Sequence, residues 1–322
     1  MTKLKLVLQV AAIGGIVWSA ANVQAQSNYP NRPIELSVPY GAGGATDVTA
    51  RKFAGYLEKE LGQSIVVVNR PGAQGTLQMS VLSKAKADGY SLAVAGYNAL
   101  TYTVQRMSKP PYKVDDFSYF GEIGTFSYGL VVPAKSGIRN MDDYIAASRK
   151  PGGITFGVTG APNNIPYATL KKTTGGKFEE INYKSGLEAV TAAAGDHVES
   201  ALQNPQDFIP LVQAGQVRLI ASMTDKRVVG YENVPTAQEQ GYDTVVYSSL
   251  GLASPKGLPT DVQKKIQDAT LKVLQNPEYV AFMHTQHMYV NQIDGPAFHQ
   301  KIRDGYVSMG LFIKEMNVPM LN

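Results

Sequence analysis

The sequence predicts an α/β protein of two lobes, each built on the same strand–helix plan, with a cleft between them. Three observations predict it. Strands and helices alternate over residues 33–130 in the order βαβαβ, which implies a parallel sheet with right-handed crossovers. The same plan resumes in the second half of the chain. The 322 residues suffice for two domains of ordinary size, roughly 100–200 residues each.

The first strand is predicted over 34–39. Ile34, Leu36 and Val38 alternate with polar residues, and Pro39 ends the run. A turn with Gly41, Gly43 and Gly44 follows. Thr46 and Asp47 then open a helix over 47–61, with Ala50, Ala54, Leu57 and Leu61 spaced for one buried face. A glycine turn entering a helix N-terminus makes an anion site, because the backbone approaches closely and its N–H groups are free. A β-branched strand over 64–69 leads to a second glycine turn over 70–75 and a helix over 76–87. A strand over 91–95 ends in a third turn, Gly96-Tyr97-Asn98. Ligands of parallel sheets sit at the carboxyl ends of the strands, where these turns lie.

A single strand over 126–133 is expected to cross into the second lobe. There a helix over 141–148, a strand over 154–158, a loop over 159–164 and a helix over 165–173 repeat the plan. Further strands are expected over 180–183, 197–202 and 217–222, with helices over 186–194 and 206–214. The chain returns through a strand over 249–253. Helices over 260–274, 277–285 and 296–316 complete it. Crossings near 128–132 and 246–252 would hinge a clam-shell. The expected division is one domain of 26–129 plus 248–322 and another of 130–247.

The first 25 residues read as a secretory signal peptide. Lys3 and Lys5 precede an apolar run, and Val23-Gln24-Ala25 fits a cleavage site after Ala25, which predicts a secreted mature chain. The run is too short for a spanning helix, which needs about 20 apolar residues. With no cysteine, disulfides, thiol chemistry and thiolate metal sites are excluded. Net charge is +4, and loss of Lys3 and Lys5 lowers it by two. The dispersed charges give no nucleic-acid surface. Eighteen tyrosines supply aromatic faces that also hydrogen-bond, and Tyr40, Asn98 and Tyr247 are candidates to line the pocket.

The blocks along the chain resemble one family in order. The run from Val38 to Asp47 is similar to the first ligand loop of the Bug family, the periplasmic solute-binding proteins of tripartite tricarboxylate transporters. Leu61-Gly62-Gln63, the run from Val66 to Gly75, Asp88-Gly89-Tyr90, Ile154-Thr155-Phe156-Gly157, Tyr183-Lys184-Ser185-Gly186, Val234-Pro235-Thr236 and the run from Ala253 to Pro259 extend the likeness across nearly the whole mature chain. The resemblance implies a type II-like periplasmic binding protein. It implies a ligand carboxylate held by backbone N–H groups and bridging waters at the first loop, carried over onto Tyr40, Gly43, Gly44, Thr46 and Asp47, to which the helix-start reading adds the backbone of Ala45, and a second-lobe loop of Val158, Thr159, Gly160 and Asn163. The chain departs from the family where Leu202-Gln203-Asn204 replaces a Phe-Asp-Asn-like segment, and where Ser249 replaces a common tryptophan. Gln203 argues against an amino-acid ligand, and Ser249 leaves room for a bulkier one.

Other chemistries find less support. A dinucleotide fingerprint needs glycine at 46, and Thr46 stands there. Asp47 lies in the first helical turn, where a carboxylate caps N–H groups, so it is expected to shape the loop rather than meet an anion. His284 and His287 are three apart without a third ligand, which makes a metal site unexpected. Neither a G-x-S-x-G elbow nor an H-E-x-x-H helix is present. Arg70 can either clamp a second carboxylate or form an ordinary ion pair. The expected function is capture of a small organic carboxylate (di- or tricarboxylate or aromatic acid) by cleft closure. The expected partner is a two-component membrane permease of the tripartite tricarboxylate type. No cofactor is expected, and the chain is expected to be a monomer. A secreted enzyme acting on a carboxylate, or a ligand sensor docking on a receptor ectodomain, are the alternatives.

Overall fold

A computed structural model describes residues 28–321. The expected signal peptide and its cleavage site lie outside the described residues. The chain runs β1 (Ile34–Val38), α1 (Ala45–Leu61), β2 (Ile65–Asn69), α2 (Thr76–Leu82), β3 (Ser91–Gly96) and β4 (Phe117–Phe126). It continues with β5 (Gly129–Pro133), α3 (Met141–Ser148), β6 (Ile154–Val158), α4 (Ile165–Thr174), β7 (Phe178–Asn182), α5 (Gly186–Ala194), β8 (Ser200–Gln203), α6 (Pro205–Gln213) and β9 (Val217–Ser222). Then come β10 (Ser249–Pro255), α7 (Thr260–Gln275), α8 (Pro277–Thr285), β11 (Met288–Tyr289) and α9 (Gly295–Glu315).

The strands form two sheets, ordered β11-β4-β10-β3-β1-β2 and β7-β6-β8-β5-β9. In the first, β1 is parallel to β2 and β3, and β10 runs antiparallel between β3 and β4. In the second, β6 is parallel to β7 and β8, and β5 runs antiparallel between β8 and β9. Each lobe therefore has three parallel strands followed by an inserted antiparallel one. Helix α1 buries Ala50, Ala54, Leu57 and Leu61 as its spacing predicts, with Phe53 added, and packs on α7 through Ile266 and Val273. Burial of one such side chain contributes about 1.5–3 kcal/mol.

The crossing between sheets differs from the single strand expected over 126–133. Phe126 ends β4 in the first sheet, and Gly129 starts β5 in the second. Only Ser127 and Tyr128 lie between. The return passes through 246–248: Val246 N donates to Met223 O at 2.6 Å, and Ser248 O accepts from Phe126 N at 3.0 Å. Met223 N also bonds Tyr128 O at 2.8 Å, so the two crossings are tied side by side.

Strand β4 itself escapes the sequence reading. It is buried on both faces, so it lacks alternation, and it carries a buried glutamate, Glu122, and Gly121. Gly121 has φ 151°, and a Cβ there would stand 2.9 Å from Ile293 O. The helix expected over 76–87 stops at Leu82, where Ser83 Oγ turns back to Ser80 O at 2.9 Å. Asn98 leads not into a plain turn but into a π-helical segment, Ala99–Thr103. The strand expected from 197 starts at Ser200, because His197 N closes back on Ala192 O at 2.9 Å.

The first residue of β5 has no room for a side chain. A Cβ on Gly129 would lie 2.5 Å from Leu219 Cδ1 and 2.6 Å from the Phe208 ring. Gly129→Ala is expected to lose about 1–3 kcal/mol of stability through overpacking. Urea unfolding should show a lower midpoint with an unchanged slope.

Candidate functional site

The loop after β1 is shaped by one carboxylate. Asp47 stands in the first turn of α1 and is 3% exposed. Its Oδ2 accepts from Gly43 N at 2.9 Å and from Arg51 Nε at 2.9 Å. Its Oδ1 accepts from Asn69 Nδ2 at 2.8 Å. The same nitrogen reaches Tyr40 O at 2.9 Å, and Asn69 Oδ1 accepts from Arg51 Nη2 at 3.0 Å. Asp47, Arg51 and Asn69 thus form a closed ring that pins both ends of the loop. Burial works against the charge of Asp47. The hydrogen bonds from Arg51, Gly43 and Asn69 outweigh it and lower the carboxyl pKa to about 2.

The ring decides which groups remain free. Gly43 donates its N–H to Asp47. Gly44 caps α1 without a side chain, and the N–H groups of Gly44, Ala45 and Thr46 have no acceptor among the described residues. They open the helix, where the dipole favours an anion. Gly43, Gly44 and Ala45 are exposed, and Thr46 is buried. Tyr40 is 42% exposed, but its hydroxyl turns in toward Gly75, and the loss of solvent raises its pKa.

The next two turns sit at the neighbouring strand ends. After β2, Ala73 and Gln74 adopt φ 44° and 53°, a left-handed conformation unusual outside glycine. Of the two roles open to Arg70, the structure shows the ion pair: its Nη2 meets Glu35 at 3.0 Å. After β3, Asn98 Nδ2 donates to Ser248 Oγ at 3.0 Å and so joins this turn to the return crossing.

In the second lobe, Val158 is the buried last residue of β6, and its carbonyl accepts from Tyr183 N at 2.8 Å. Thr159 is exposed, and Gly160 is half-buried with φ 94°. Asn163 folds under the loop: its Nδ2 donates to Leu202 O at 2.7 Å and to Gln203 Oε1 at 2.9 Å. The predicted residues therefore gather into a first-lobe group around Asp47 and a second-lobe group around Asn163. No hydrogen bond links the two groups among the described residues.

The chain and its two-lobed fold have known counterparts. The family model described as the tripartite tricarboxylate transporter family receptor, TctC, matches residues 49–318. The chain belongs to this receptor family. It is 36% identical over 275 residues to a UPF0065 protein of the gbd 5' region in Cupriavidus necator, covering 84% of this chain and 83% of that one. It is 33% identical over 264 residues to BugT of Bordetella pertussis, covering 80% of each. A TctC solute-binding protein from Polaromonas, solved without ligand, superimposes with a TM-score of 0.77 at 28% identity, over 89% of this chain and 99% of that one. The family's members are solute-binding receptors rather than enzymes.

The receptor also holds a polar cluster that sequence reading missed. Glu122 of β4 is fully buried. Thr125 Oγ1 and Tyr247 OH donate to its carboxylate, as does Asn291 Nδ2 at 2.8 Å, and Lys301 Nζ lies at 3.4 Å. Burial, then the Glu122 charge, raises the pKa of Tyr247. Its ring meets Tyr97 edge-on at 4.5 Å. Glu122 and Lys301 stand 179 positions apart in sequence, so no local signal joins them. His287 Nδ1 contacts Val229 O at 2.9 Å, and His299 Nε2 contacts Asp115 Oδ1 at 2.9 Å. No group of three metal-ligating side chains occurs among the described residues.

The ring around Asp47 predicts a pH signature. Its pKa is depressed below the ordinary 3.8, so the stabilisation is complete above that value and is lost as pH falls toward about 2. Asp47→Asn should cost about 1–2 kcal/mol at pH 7. Denaturant titrations from pH 6 to pH 2 should show the gap between wild type and variant closing over the acid limb.

Proposed function

We propose that this receptor captures a small organic carboxylate in the periplasm, between its lobes, and delivers it to a two-component permease of the tripartite tricarboxylate type. The observation that carries the reading is the start of α1. Three N–H groups stand free there because Asp47 takes Gly43 N and is itself neutralised by Arg51. A carboxylate is the anion that a receptor of this family is named for, and it suits a helix start with free donors. The loop after β6 lies at the equivalent strand end of the second lobe, so it supplies the opposing wall.

Capture works by differential binding of a closed state. Among the described residues the chain crosses between sheets only at Ser127-Tyr128 and at 246–248, and these segments are the hinge in this reading. They divide the chain close to the expected boundaries, with Gly129 passing to the second domain because it starts β5. Polar contacts between the lobes can exchange on closure: Lys226 Nζ to Asn291 Oδ1 at 2.6 Å, Gln206 Nε2 to Gln286 O at 2.6 Å, the ion pair of Lys172 with Glu315, and His287 and Tyr289 with the carbonyls of Val229 and Arg227. A bound acid that bridges both lobes adds to them. Delivery then requires a permease that reads the closed form of a single copy of the chain.

The test is thermal denaturation of the mature protein with a panel of aliphatic di- and tricarboxylates and aromatic acids. A ligand at a hundred times its Kd should contribute about 2.7 kcal/mol and raise the Tm by roughly 5 °C. Absence of any shift across the panel at millimolar concentration overturns the reading.

A further inference from the structure

Gln203 ends β8, between β6 and β5, at the carboxyl end of the parallel strands. Its side chain is buried, with the residue 2% exposed. The orientation of its amide follows from its neighbour. Asn163 Nδ2 lies 2.7 Å from Leu202 O, a carbonyl that only accepts, so this atom of Asn163 is the nitrogen. The same nitrogen lies 2.9 Å from the Gln203 amide, so the Gln203 atom it meets is the oxygen. The other end of the amide is therefore the NH2 group, Nε2, and it has no hydrogen-bond partner among the described residues. A buried donor left unpaired is costly and calls for an explanation.

We propose that Gln203 Nε2 is a specificity-determining donor to the acidic end of the ligand that the second lobe holds. This deepens, and rests on, the carboxylate reading above. The donor has a consequence for ligand class. Gln203 Oε1 already accepts from Asn163, so the unengaged group of the amide is its donor, which an ammonium group cannot use. Asp47 is equally committed, through both of its oxygens. The neighbouring carboxyl of Asp207, in the first turn of α6, packs against Gly186 at the start of α5. The site is thus built for an acid that presents oxygen at this point, and against the same acid carrying an ammonium group there.

The experiment compares matched acids by calorimetry on the whole mature chain: succinate with aspartate, glutarate with glutamate, adipate with 2-aminoadipate, together with citrate and benzoate. Wild type should bind the better acid of a pair about tenfold or more tightly than its amino partner, the scale of one hydrogen bond to a charged group. Gln203→Glu is nearly isosteric and keeps an oxygen for Asn163. It should weaken the preferred acid at least about tenfold, and narrow or invert the preference where an amino partner exists. Gln203→Met removes the donor together with the oxygen that Asn163 meets, and should weaken the preferred acid by about the same factor in protein whose cooperative melt shows it folded. If one variant fails to fold, the other carries the comparison. Equal binding of amino and non-amino partners by wild type overturns the assignment, as does unchanged affinity in a folded variant. If wild type binds none of these acids, the carboxylate reading falls with it, whereas binding that ignores position 203 removes only the role of Gln203.

Discussion

Each sheet carries one antiparallel strand in its interior, and in the first lobe that strand is β10, which the chain reaches only after building the second lobe. This constraint dictates the rest of the architecture. The first lobe is discontinuous in sequence and the second is a single insertion. Two short segments must pass between them, and hydrogen bonds hold these segments side by side at Phe126–Ser248 and Tyr128–Met223–Val246. A pair of adjacent segments joining two bodies permits rotation and resists translation.

The glycine loop after β1 obeys a different constraint. A helix N-terminus can hold an anion only while its donors are unsatisfied, yet an exposed glycine loop with unsatisfied donors has little reason to keep one shape. The ring of Asp47, Arg51 and Asn69 resolves this conflict. It engages one N–H, that of Gly43, and fixes the position of the next three. The charge that would repel an acid is cancelled by the guanidinium of Arg51.

Local signals made much of this legible. The elements at 141–148, 154–158, 186–194, 217–222 and 277–285 fall where periodicity and capping place them. The glycine loop was readable because turn chemistry is local, and the family membership because its blocks occur in order. What stayed hidden depends on distant partners. Arg51 and Asn69 read as a solvent-facing helix residue and a strand end until the fold closes them on Asp47. The break at Ser127-Tyr128 follows from Phe126 pairing with Met288 while Gly129 pairs with Gln203, both choices made by remote strands. Glu122 reads as a misplaced charge until Asn291 and Lys301 arrive from the far end of the chain.

The left-handed pair Ala73 and Gln74 bears on affinity. Such a backbone costs each residue of order 1 kcal/mol in the folded state. The surrounding packing must overcome that cost before any ligand is present, since Gly75 beside it sits against Ala99 and Pro39 with the Tyr40 hydroxyl above. The penalty therefore falls on folding and not on recognition. On the proposed reading, in which an acid enters beside Tyr40, a loop already confined to one conformation surrenders little entropy, and the free energy of each contact made there passes more fully into binding.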